Sequence, residues 1–390
     1  MVDSFFKFCN SIVISTMKPN KKILLNTSNL HNGGGVQVAV SFLYELSLFS
    51  DLHLSCFDIV ASSAVDQALI KLNVRLNGFG SYDVLNTYGI QALYSKLNKR
   101  IKNYDLVFTV FGPNYLRVKA NKDIVGFAQL WILNFDNPIS KKLSFINRNK
   151  LRVKFYLQWL FFLRSDHYIV ELEHVKKTLQ SLKKVSNKKI SIVYNTVSSL
   201  YKDESKWSAI AIEKGNEDVS LGIVTRDYPH KNLGILPEVA EVLRLNYNFK
   251  VHFYTTLNDE EWSTKNSFFK KYVSTVGSLS PDQCPSFYQQ VDGIIFPSLL
   301  ECFSATPLEA MVMEKPLFAS DRGFVRDVCQ EHAIYINPLD ANDIASKIAG
   351  HFQSDRINRV ELQQAKSHAL NFSSAESRAE KYLQIINSHL

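Results

Sequence analysis

The chain of 390 residues is 46% hydrophobic and 21% charged, and its formal net charge is +8. This is the composition of an ordinary globular protein, and the length suits two domains better than one. No apolar run reaches the roughly 18 residues of a membrane-spanning helix. The positive charge is compatible with nucleic acid, an anionic lipid surface or a phosphorylated small molecule as partner.

The five cysteines are scattered and contain no Cys-x-x-Cys pair. This fits a reducing compartment and argues against a zinc site or a disulfide framework. Residues 1–16 have a short apolar core without a signal-peptide cleavage site, and Met17 begins a more usual N-terminus. We therefore expect a cytoplasmic protein in which residues 1–16 are an extension or a product of start-codon choice.

The first predicted strand, residues 21–27, runs into a triple-glycine loop, Gly33-Gly34-Gly35, and then into a helical pattern. Such a unit can bind phosphate, because glycine lets the backbone approach closely and a helix N-terminus attracts anions. A plain turn is an equally good interpretation of three glycines. The loop is not Gly-x-Gly-x-x-Gly, so a nicotinamide cofactor is not indicated.

Further buried strands are predicted in the rest of the first half of the chain, at 57–61, around 74–76, at 104–109, at 125–128, at 168–170 and at 190–194. Helices are expected between them, so the pattern is that of a parallel sheet. This alternation stops at residues 195–197. The polar stretch 198–218 is then predicted to be a linker, and the alternation restarts at Val219.

Residues 141–164 are the most basic and aromatic part of the chain. A basic helix with aromatic side chains can lie on an anionic membrane surface. The alternative is a long helix that packs into the first domain and has a solvated positive end.

Arg226 and Lys231 are expected at the end of one strand and the start of the next helix in the second domain. Arginine offers a planar fork of donors and lysine a point charge, and both suit a diphosphate. The alternative is a pair of solvated surface charges.

Two glutamates, Glu301 and Glu309, stand between the predicted strands 293–296 and 316–319. Ligands of parallel sheets bind at the carboxyl ends of the strands, where the loop between these glutamates is expected. Carboxylates there suit sugar hydroxyls, whereas the free N–H groups of the helix start suit a phosphate. Thr306 to Glu309 also has the pattern of a capping box, with Thr306 as N-cap, and this second interpretation of Glu309 stays open.

The stretch from Pro297 to Ser320 resembles the signature of retaining glycosyltransferases of the GT-B fold, family 4, also described as glycosyl transferases group 1. The residues that match its pattern are Pro297, Ser298, Glu301, Phe303, Glu309, Ala310, Met311, Pro316 and Ser320. Ser304 stands where the family usually has glycine. Arg226 and Lys231 match a second motif, Gly-Arg-x-x-x-x-Lys-Asn, with Thr225 in place of its glycine.

This resemblance implies two Rossmann-like, doubly wound α/β domains facing a cleft. The implied domains are 1–197 on the acceptor side, the linker 198–218, a nucleotide-sugar-binding domain at 219–372, and a C-terminal helix, 373–390, that returns to the first domain.

The resemblance also implies a role for each candidate residue. Arg226, Lys231 and Glu301 would be catalytic. The implied donor-binding residues are Glu309, Phe303, Ser304, Ala305, Gly34, Gly35, Gly277 and Leu279. The implied acceptor-side residues are Asn32, Gln129 and Trp131. Many relatives have a histidine near the last two, but Gln129, Trp131 and Asn134 occupy that region here.

The implied reaction is transfer of a sugar from a nucleotide-diphosphate donor to an acceptor hydroxyl, with retention and without a metal or another cofactor. We expect a saccharide or lipid-linked saccharide acceptor in surface polysaccharide or lipopolysaccharide (O-antigen) biosynthesis, and no nucleic acid as partner. The protein would be cytoplasmic or peripheral on the inner face of the membrane. A nucleotide-sugar 2-epimerase and a non-catalytic protein of the same fold remain as alternatives.

Overall fold

The structure is a computed structural model that describes residues 20–50, 52–354 and 358–390. The extension predicted at residues 1–16 lies outside the described residues. The chain divides into two compact units. The first unit comprises Met1–Asn195 and Ser374–Leu390, and the second comprises Thr196–Ser373.

The first unit is built on a seven-stranded sheet in the order β3-β2-β1-β4-β5-β6-β7. All of its neighbouring strands are parallel. The strands are β1 (Ile23–Thr27), β2 (Phe57–Ala61), β3 (Ser81–Val84), β4 (Leu106–Thr109), β5 (Lys122–Gly126), β6 (His167–Val170) and β7 (Lys189–Ile192). The α-helices between them are α1 (Gly34–Leu48), α2 (Ser63–Lys71), α3 (Leu130–Leu133), α4 (Pro138–Lys142), α5 (Phe145–Phe162) and α6 (Glu173–Gln180).

The second unit has a six-stranded parallel sheet in the order β10-β9-β8-β11-β12-β13. The strands are β8 (Val219–Ile223), β9 (Val251–Thr255), β10 (Val273–Thr275), β11 (Gly293–Phe296), β12 (Leu317–Ser320) and β13 (Ile334–Ile336). The α-helices are α7 (Leu236–Tyr247), α8 (Asp259–Ser263), α9 (Ser267–Tyr272), α10 (Cys284–Gln290), α11 (Thr306–Val312), α12 (Gly323–Cys329), α13 (Ala341–Phe352) and α14 (Arg359–Phe372).

The central strands are buried along their whole length, as β1, β4, β8 and β11 show. Helices cover both faces of a parallel sheet, so its central strands are continuous apolar runs rather than alternating ones. Close packing also explains why one position of the first sheet, at the end of β5, is occupied by glycine. A Cβ atom on Gly126 would lie 1.7 Å from the carbonyl oxygen of Val110, so no larger residue fits there.

The last helix, α15 (Ala375–Asn387), belongs to the first unit and packs against α1. Its Tyr382 is fully buried and contacts Phe42 of α1 and Phe108 of β4, with ring centroids 5.0 and 5.1 Å apart. Three aromatic side chains thus attach the C-terminal helix to the first core.

Each sheet has one point at which the strand order reverses direction. In the first unit it lies between β1 and β4, and in the second it lies between β8 and β11. At such a switch point the loops after the two central strands leave in opposite directions, and a crevice opens outside their carboxyl ends. The glycine loop follows β1, whereas Arg226 and Lys231 follow β8 and Glu301 follows β11.

Most of the predicted strands are present within a few residues of their expected bounds, but one is wrong. The stretch around 74–76 forms turns and loop, and the strand that pairs with β2 is Ser81–Val84. The side chains of β3 are half-buried or exposed because it is the edge of the sheet. The apolar periodicity used to find strands therefore misses it.

Candidate functional site

Lys231 and Glu301 form an ion pair at the switch point of the second unit. The Lys231 Nζ atom lies 2.6 Å from Glu301 Oε1, and the side chains are only 15% and 9% exposed. Lys231 also lies over the Phe296 ring at the end of β11, 5.5 Å from its centroid. The sequence placed these two residues in different motifs, and the strand order brings them together.

The backbone around Lys231 is fixed by turns. Lys231 ends a single 3-10 turn, Pro229–Lys231, and the next residue, Asn232, adopts a left-handed conformation with φ 57°. Asparagine tolerates that conformation better than most residues. The Asn232 side chain donates to the carbonyl of Pro338 over 2.6 Å, and the His230 carbonyl accepts from the Leu299 N–H over 2.7 Å. The loops after β8 and β11 are therefore held together by main-chain contacts.

Arg226 lies in the same loop but is exposed, and it contacts a different part of the second unit. Its Nε atom lies 3.1 Å from Glu261 Oε1, and its NH1 donates to Ser278 Oγ over 2.8 Å. Ser278 stands between Gly277 and Leu279, two of the predicted donor-binding residues. The guanidinium thus connects the loop after β8 to the loop after β10.

Glu309 is not part of a capping box, so that interpretation of it is wrong. Helix α11 begins at Thr306, its N-cap is Ala305, and no side chain caps it. Thr306 and Glu309 therefore stand one position further into the helix than a capping box requires. The Glu309 Oε2 atom instead accepts a hydrogen bond of 2.8 Å from the hydroxyl of Tyr288, a buried residue of α10.

The surroundings of Glu309 have opposite effects on the pKa of its carboxyl group. Burial raises the pKa of this carboxyl, whereas the hydroxyls of Tyr288 and Tyr201 and the positive charge of Lys231 lower it. Lys231 thus interacts with both predicted carboxylates. Glu301, Glu309 and Lys231 form one cluster at the switch point of the second unit.

The remaining candidates of the second unit border this cluster or the Arg226 contact. Phe303, Ser304 and Ala305 lie in the half-buried loop that connects Glu301 to α11. Gly277 has φ 79°, which favours glycine, and a Cβ atom there would meet no atom within 4 Å. The Gly277 N–H donates to Thr275 Oγ1 over 3.1 Å, so this glycine is fixed by the end of β10.

The candidates of the first unit lie in two separate loops. Gly33 has φ 70° and serves as the N-cap of α1, and Cβ atoms on Gly33 or Gly34 would point into open space. The preceding Asn32 is exposed. Gly35 is closer packed, since a Cβ atom there would lie 3.3 Å from Leu30 and 3.6 Å from Phe111. Access to the backbone is thus greatest at Asn32, Gly33 and Gly34.

Gln129 and Trp131 follow β5 and are both half-buried. Gln129 precedes the short helix α3, and Trp131 stacks on Phe155 of α5 with ring centroids 5.6 Å apart and nearly parallel planes. Trp131 is therefore held by packing, and Gln129 keeps a side chain able to hydrogen bond.

Helix α5 both packs into the first unit and presents apolar side chains to solvent. Phe155 and Phe162 are buried. On another face of the helix Phe145, Ile146, Val153 and Tyr156 are exposed, by 80, 65, 59 and 58%. At 100° per residue these four lie within about a third of the helix circumference, with Lys150 at their edge. The interpretation of residues 141–164 as a helix packed into the first unit thus explains the buried side of α5, but it does not explain the exposed apolar side.

Several contact partners in the site carried no signal in the sequence. Tyr288, Tyr201 and Glu261 belong to no motif, and only the three-dimensional structure places them beside Glu309 and Arg226. His230 was also missed. It stacks on Tyr228, and Glu301 lies close enough to raise its pKa, although burial lowers that pKa more strongly.

The two parallel sheets with their helices match solved glycosyltransferase structures. A glycosyltransferase from Rickettsia africae has a TM-score of 0.67 at 16% identity, and the match covers 95% of this chain and 99% of that one. Alr3699/HepE of Anabaena, solved in complex with UDP, has a TM-score of 0.64 at 13% identity, with 94% and 100% covered. The predicted α/β fold of GT-B type is confirmed.

Comparison with protein families gives a match within the second unit. The family model described as glycosyl transferases group 1 matches residues 219–354. This part of the chain contains both motifs on which the sequence resemblance rests. A curated relative is the Salmonella typhimurium protein described as O-antigen chain mannosyltransferase RfbU, which is 26% identical over 201 residues. The alignment covers 50% of this chain and 54% of the Salmonella protein, about half of each.

No helix in the described ranges is both long and apolar enough to cross a bilayer.

Proposed function

We propose that this protein transfers a sugar from a nucleotide-diphosphate sugar to an acceptor hydroxyl. The observation that carries the proposal is the cluster of Lys231, Glu301 and Glu309 at the switch point of the second unit, where α/β sheets bind their ligands. One amine and two carboxylates supply groups for a phosphate and for hydroxyls.

In the proposed reaction the bond between the sugar and the diphosphate breaks, and negative charge builds on the leaving diphosphate. Lys231 and Arg226 would stabilise this charge, as preorganised cations do most effectively in a partly closed site. Glu301 would bind the donor sugar hydroxyls, and Glu309 would bind the ribose diol. Charge-assisted hydrogen bonds to carboxylates are stronger than neutral ones.

We further propose that the anomeric configuration is retained and that the donor phosphate takes the acceptor proton. No metal is part of this proposal, because the two basic side chains are assigned the role of neutralising the diphosphate. Turnover that persists in excess EDTA would support that assignment, and loss of turnover restored by Mg²⁺ would contradict it.

The acceptor is proposed to be a saccharide or lipid-linked saccharide of surface polysaccharide biosynthesis. Support comes from the Salmonella relative, which is described as an O-antigen chain mannosyltransferase. Asn32, Gln129 and Trp131 are the proposed acceptor contacts in the first unit, where Asn32 is exposed and Gln129 is half-buried.

We also propose that α5 contacts an anionic membrane surface. Exposed Phe145, Ile146, Val153 and Tyr156 would enter the interface, and Lys150 would lie near the head groups. Such contact would bring a cytoplasmic enzyme to a lipid-linked acceptor.

The experiment that tests the function is a donor screen. Purified protein is incubated with UDP-, GDP-, ADP- and dTDP-sugars, with and without short saccharide acceptors, and nucleoside diphosphate release is measured. Release from one donor class that Lys231→Ala abolishes supports the transferase. Release from none of them, with or without acceptor, contradicts it.

A nucleotide-sugar 2-epimerase is the second candidate. Such enzymes use a histidine near the donor sugar, and His230 lies close enough to Glu301 to interact electrostatically. Product analysis separates the two functions. An epimerase converts a UDP-N-acetylhexosamine into its 2-epimer, whereas a transferase moves the sugar to the acceptor and leaves the donor configuration unchanged.

A further inference from the structure

Tyr288 is a buried residue that has no place in the proposed chemistry yet touches one of its carboxylates. It lies on α10, is fully buried, and donates from its hydroxyl to Glu309 Oε2 over 2.8 Å. A hydrogen bond between a buried hydroxyl and a carboxylate fixes the carboxylate's direction as well as contributing stability. One oxygen of Glu309 is therefore held from inside the protein.

Tyr201 approaches the same carboxylate from a different element. It lies on the single 3-10 turn Ser199–Lys202, is buried, and packs edge-on against Tyr288 with ring centroids 5.9 Å apart. Its hydroxyl lies near Glu309 and Cys284. Among the described residues, that hydroxyl has no hydrogen-bond partner of normal geometry. Tyr201 therefore acts on Glu309 through the electrostatic effect of its hydroxyl and through its packing against Tyr288.

The segment that carries Tyr201 lies within residues 198–218, which were predicted to be a linker. In the structure it is part of the second unit, and hydrogen bonds of its backbone join it to α10 and to the loop before α10. The Ser208 N–H donates to the Asp282 carbonyl over 2.9 Å, and Gln290 Nε2 donates to the Ile210 carbonyl over 2.8 Å. Trp207 Nε1 donates within the segment to the Leu200 carbonyl over 2.7 Å. The residues that follow Tyr201 are therefore fixed to α10 and the loop before it, and Trp207 ties them back to Leu200 beside Tyr201.

We propose that Tyr288 and Tyr201 are positioning residues that orient the Glu309 carboxylate toward the two hydroxyls of a nucleotide ribose. Residues 198–218, the predicted linker, are then part of the nucleotide site rather than a connection only. This inference rests on the proposed function, and it adds two residues to the donor site that belong to neither sequence motif.

Electrostatics gives the proposal a measurable consequence. Burial raises the pKa of Glu309, and the two tyrosine hydroxyls and Lys231 oppose that rise. The fourth titratable neighbour, the Cys284 thiol, stays neutral because burial above all raises its pKa to about 12. If a tyrosine hydroxyl is removed, the pKa of Glu309 rises further, and the carboxylate that accepts two ribose hydroxyls is lost at a higher pH than before.

The test is calorimetric titration of nucleoside diphosphates into the full chain. UDP, GDP, ADP and CDP are titrated into wild type, and the nucleotide that binds most tightly is then titrated between about pH 4 and 8.5 into wild type, Tyr288→Phe and Tyr201→Phe. In Tyr288→Phe we expect about a threefold to tenfold loss of affinity at the alkaline end and an acid limb shifted upward by about one pH unit. Tyr201→Phe should also shift the acid limb upward, but by less than Tyr288→Phe does.

The matched control is Tyr104→Phe. Tyr104 is a buried residue of the first unit that also donates to a carboxylate, Asp58 Oδ2, over 2.7 Å. This variant should lose stability but keep wild-type nucleotide affinity and its pH dependence.

The outcomes separate the two proposals. If wild type binds no nucleoside diphosphate, the proposed function fails and the inference fails with it. If wild type binds one but Tyr288→Phe has the same affinity and the same acid limb, the donor site stands and the positioning role is overturned. A loss of affinity in Tyr288→Phe that is equal at all pH values and is shared by Tyr104→Phe would also overturn it, since that would be a general effect on stability.

Discussion

The two switch points of this protein have the same topology and different chemistry. In the second unit the loops after β8 and β11 bring together Lys231 and Glu301 at 2.6 Å, with Glu309 beside them. In the first unit the loop after β1 offers exposed glycine backbone, and its neighbour after β4 places an aromatic ring, Phe111, against Gly35. The fold alone therefore does not determine the chemistry of a switch point. The side chains in the two loops determine that chemistry. Of the two switch points, the one in the second unit has the cluster of charged side chains.

The largest expected effect comes from removing the amine of the second switch point. Lys231→Ala should lower turnover by about 100-fold or more, because one preorganised group that stabilises the leaving charge is lost. Stability should also fall, by about 1–3 kcal/mol, since Glu301 is left half-buried without its partner. Steady-state kinetics and thermal unfolding measure the two effects.

Lys366→Ala is the matched control for that variant. It removes another lysine–glutamate pair of the second unit, also with an N–O distance of 2.6 Å, from a more exposed position. Turnover should stay at the wild-type level. Equal turnover in Lys231→Ala and the control would remove Lys231 from the mechanism.

Glu309→Gln should have the next largest effect. The amide keeps one acceptor oxygen, but it cannot accept two hydroxyl donors with a full negative charge. Affinity for the nucleoside diphosphate should weaken about tenfold, or about 1.4 kcal/mol. Calorimetric titration measures it.

Glu238→Gln serves as control, because Glu238 is an exposed acid in the first turn of α7, another helix of the second unit. Its affinity should equal that of wild type. If Glu309→Gln also binds nucleotide like wild type, Glu301 is left as the functional carboxylate of the pair.

The basic side chains of α5 in the first unit are expected to bind an anionic membrane surface and to take no part in sugar transfer. Lys150→Gln should weaken binding to anionic vesicles about fivefold, which corresponds to about 1 kcal/mol for one lysine near the head groups. Added salt should weaken wild-type binding as well, because exposed charges are screened. Vesicle co-sedimentation measures both.

Lys183→Gln removes the same charge from another exposed position of the first unit and should change vesicle binding little. Equal binding of wild type to neutral and anionic vesicles would instead leave α5 as a helix that only packs against its own unit. Arg148 and Arg152 are less suitable targets, because both donate to Asp136.

The smallest expected effect tests the backbone of the first switch point. Gly34→Ala adds a methyl group that meets no protein atom, at the first residue of α1. The fold should be unchanged or slightly more stable, because alanine favours a helix. If a substrate approaches this loop, kcat/KM should fall about threefold, or roughly 0.7 kcal/mol.

The control for the glycine loop is Gly350→Ala in α13, where an added methyl group also meets open space. It should leave kcat/KM unchanged. A Gly34→Ala enzyme as active as this control would return the glycine loop to its interpretation as a plain turn.

The sequence was enough to predict the α/β class and most strands, since buried parallel strands have a strong apolar signal. It also predicted that Arg226, Lys231 and Glu301 follow strands, as they do in the structure. It was not enough for the edge strand β3, which lacks that signal, nor for the contacts of Glu309. A capping box was a fair inference from Thr306 and Glu309, but the helix begins one residue earlier than that motif requires. Tyr288 and Tyr201 reach Glu309 from distant segments, and only folding brings them together.

The proposed donor site is tested most directly by a crystal structure of the complex with the nucleoside diphosphate that binds most tightly. We expect phosphate oxygens within hydrogen-bond distance of Lys231 and Arg226, and ribose hydroxyls on Glu309 with the Tyr288 contact intact. A nucleotide bound anywhere else, for example on the glycine loop of the first unit with Lys231, Arg226 and Glu309 untouched, would contradict it.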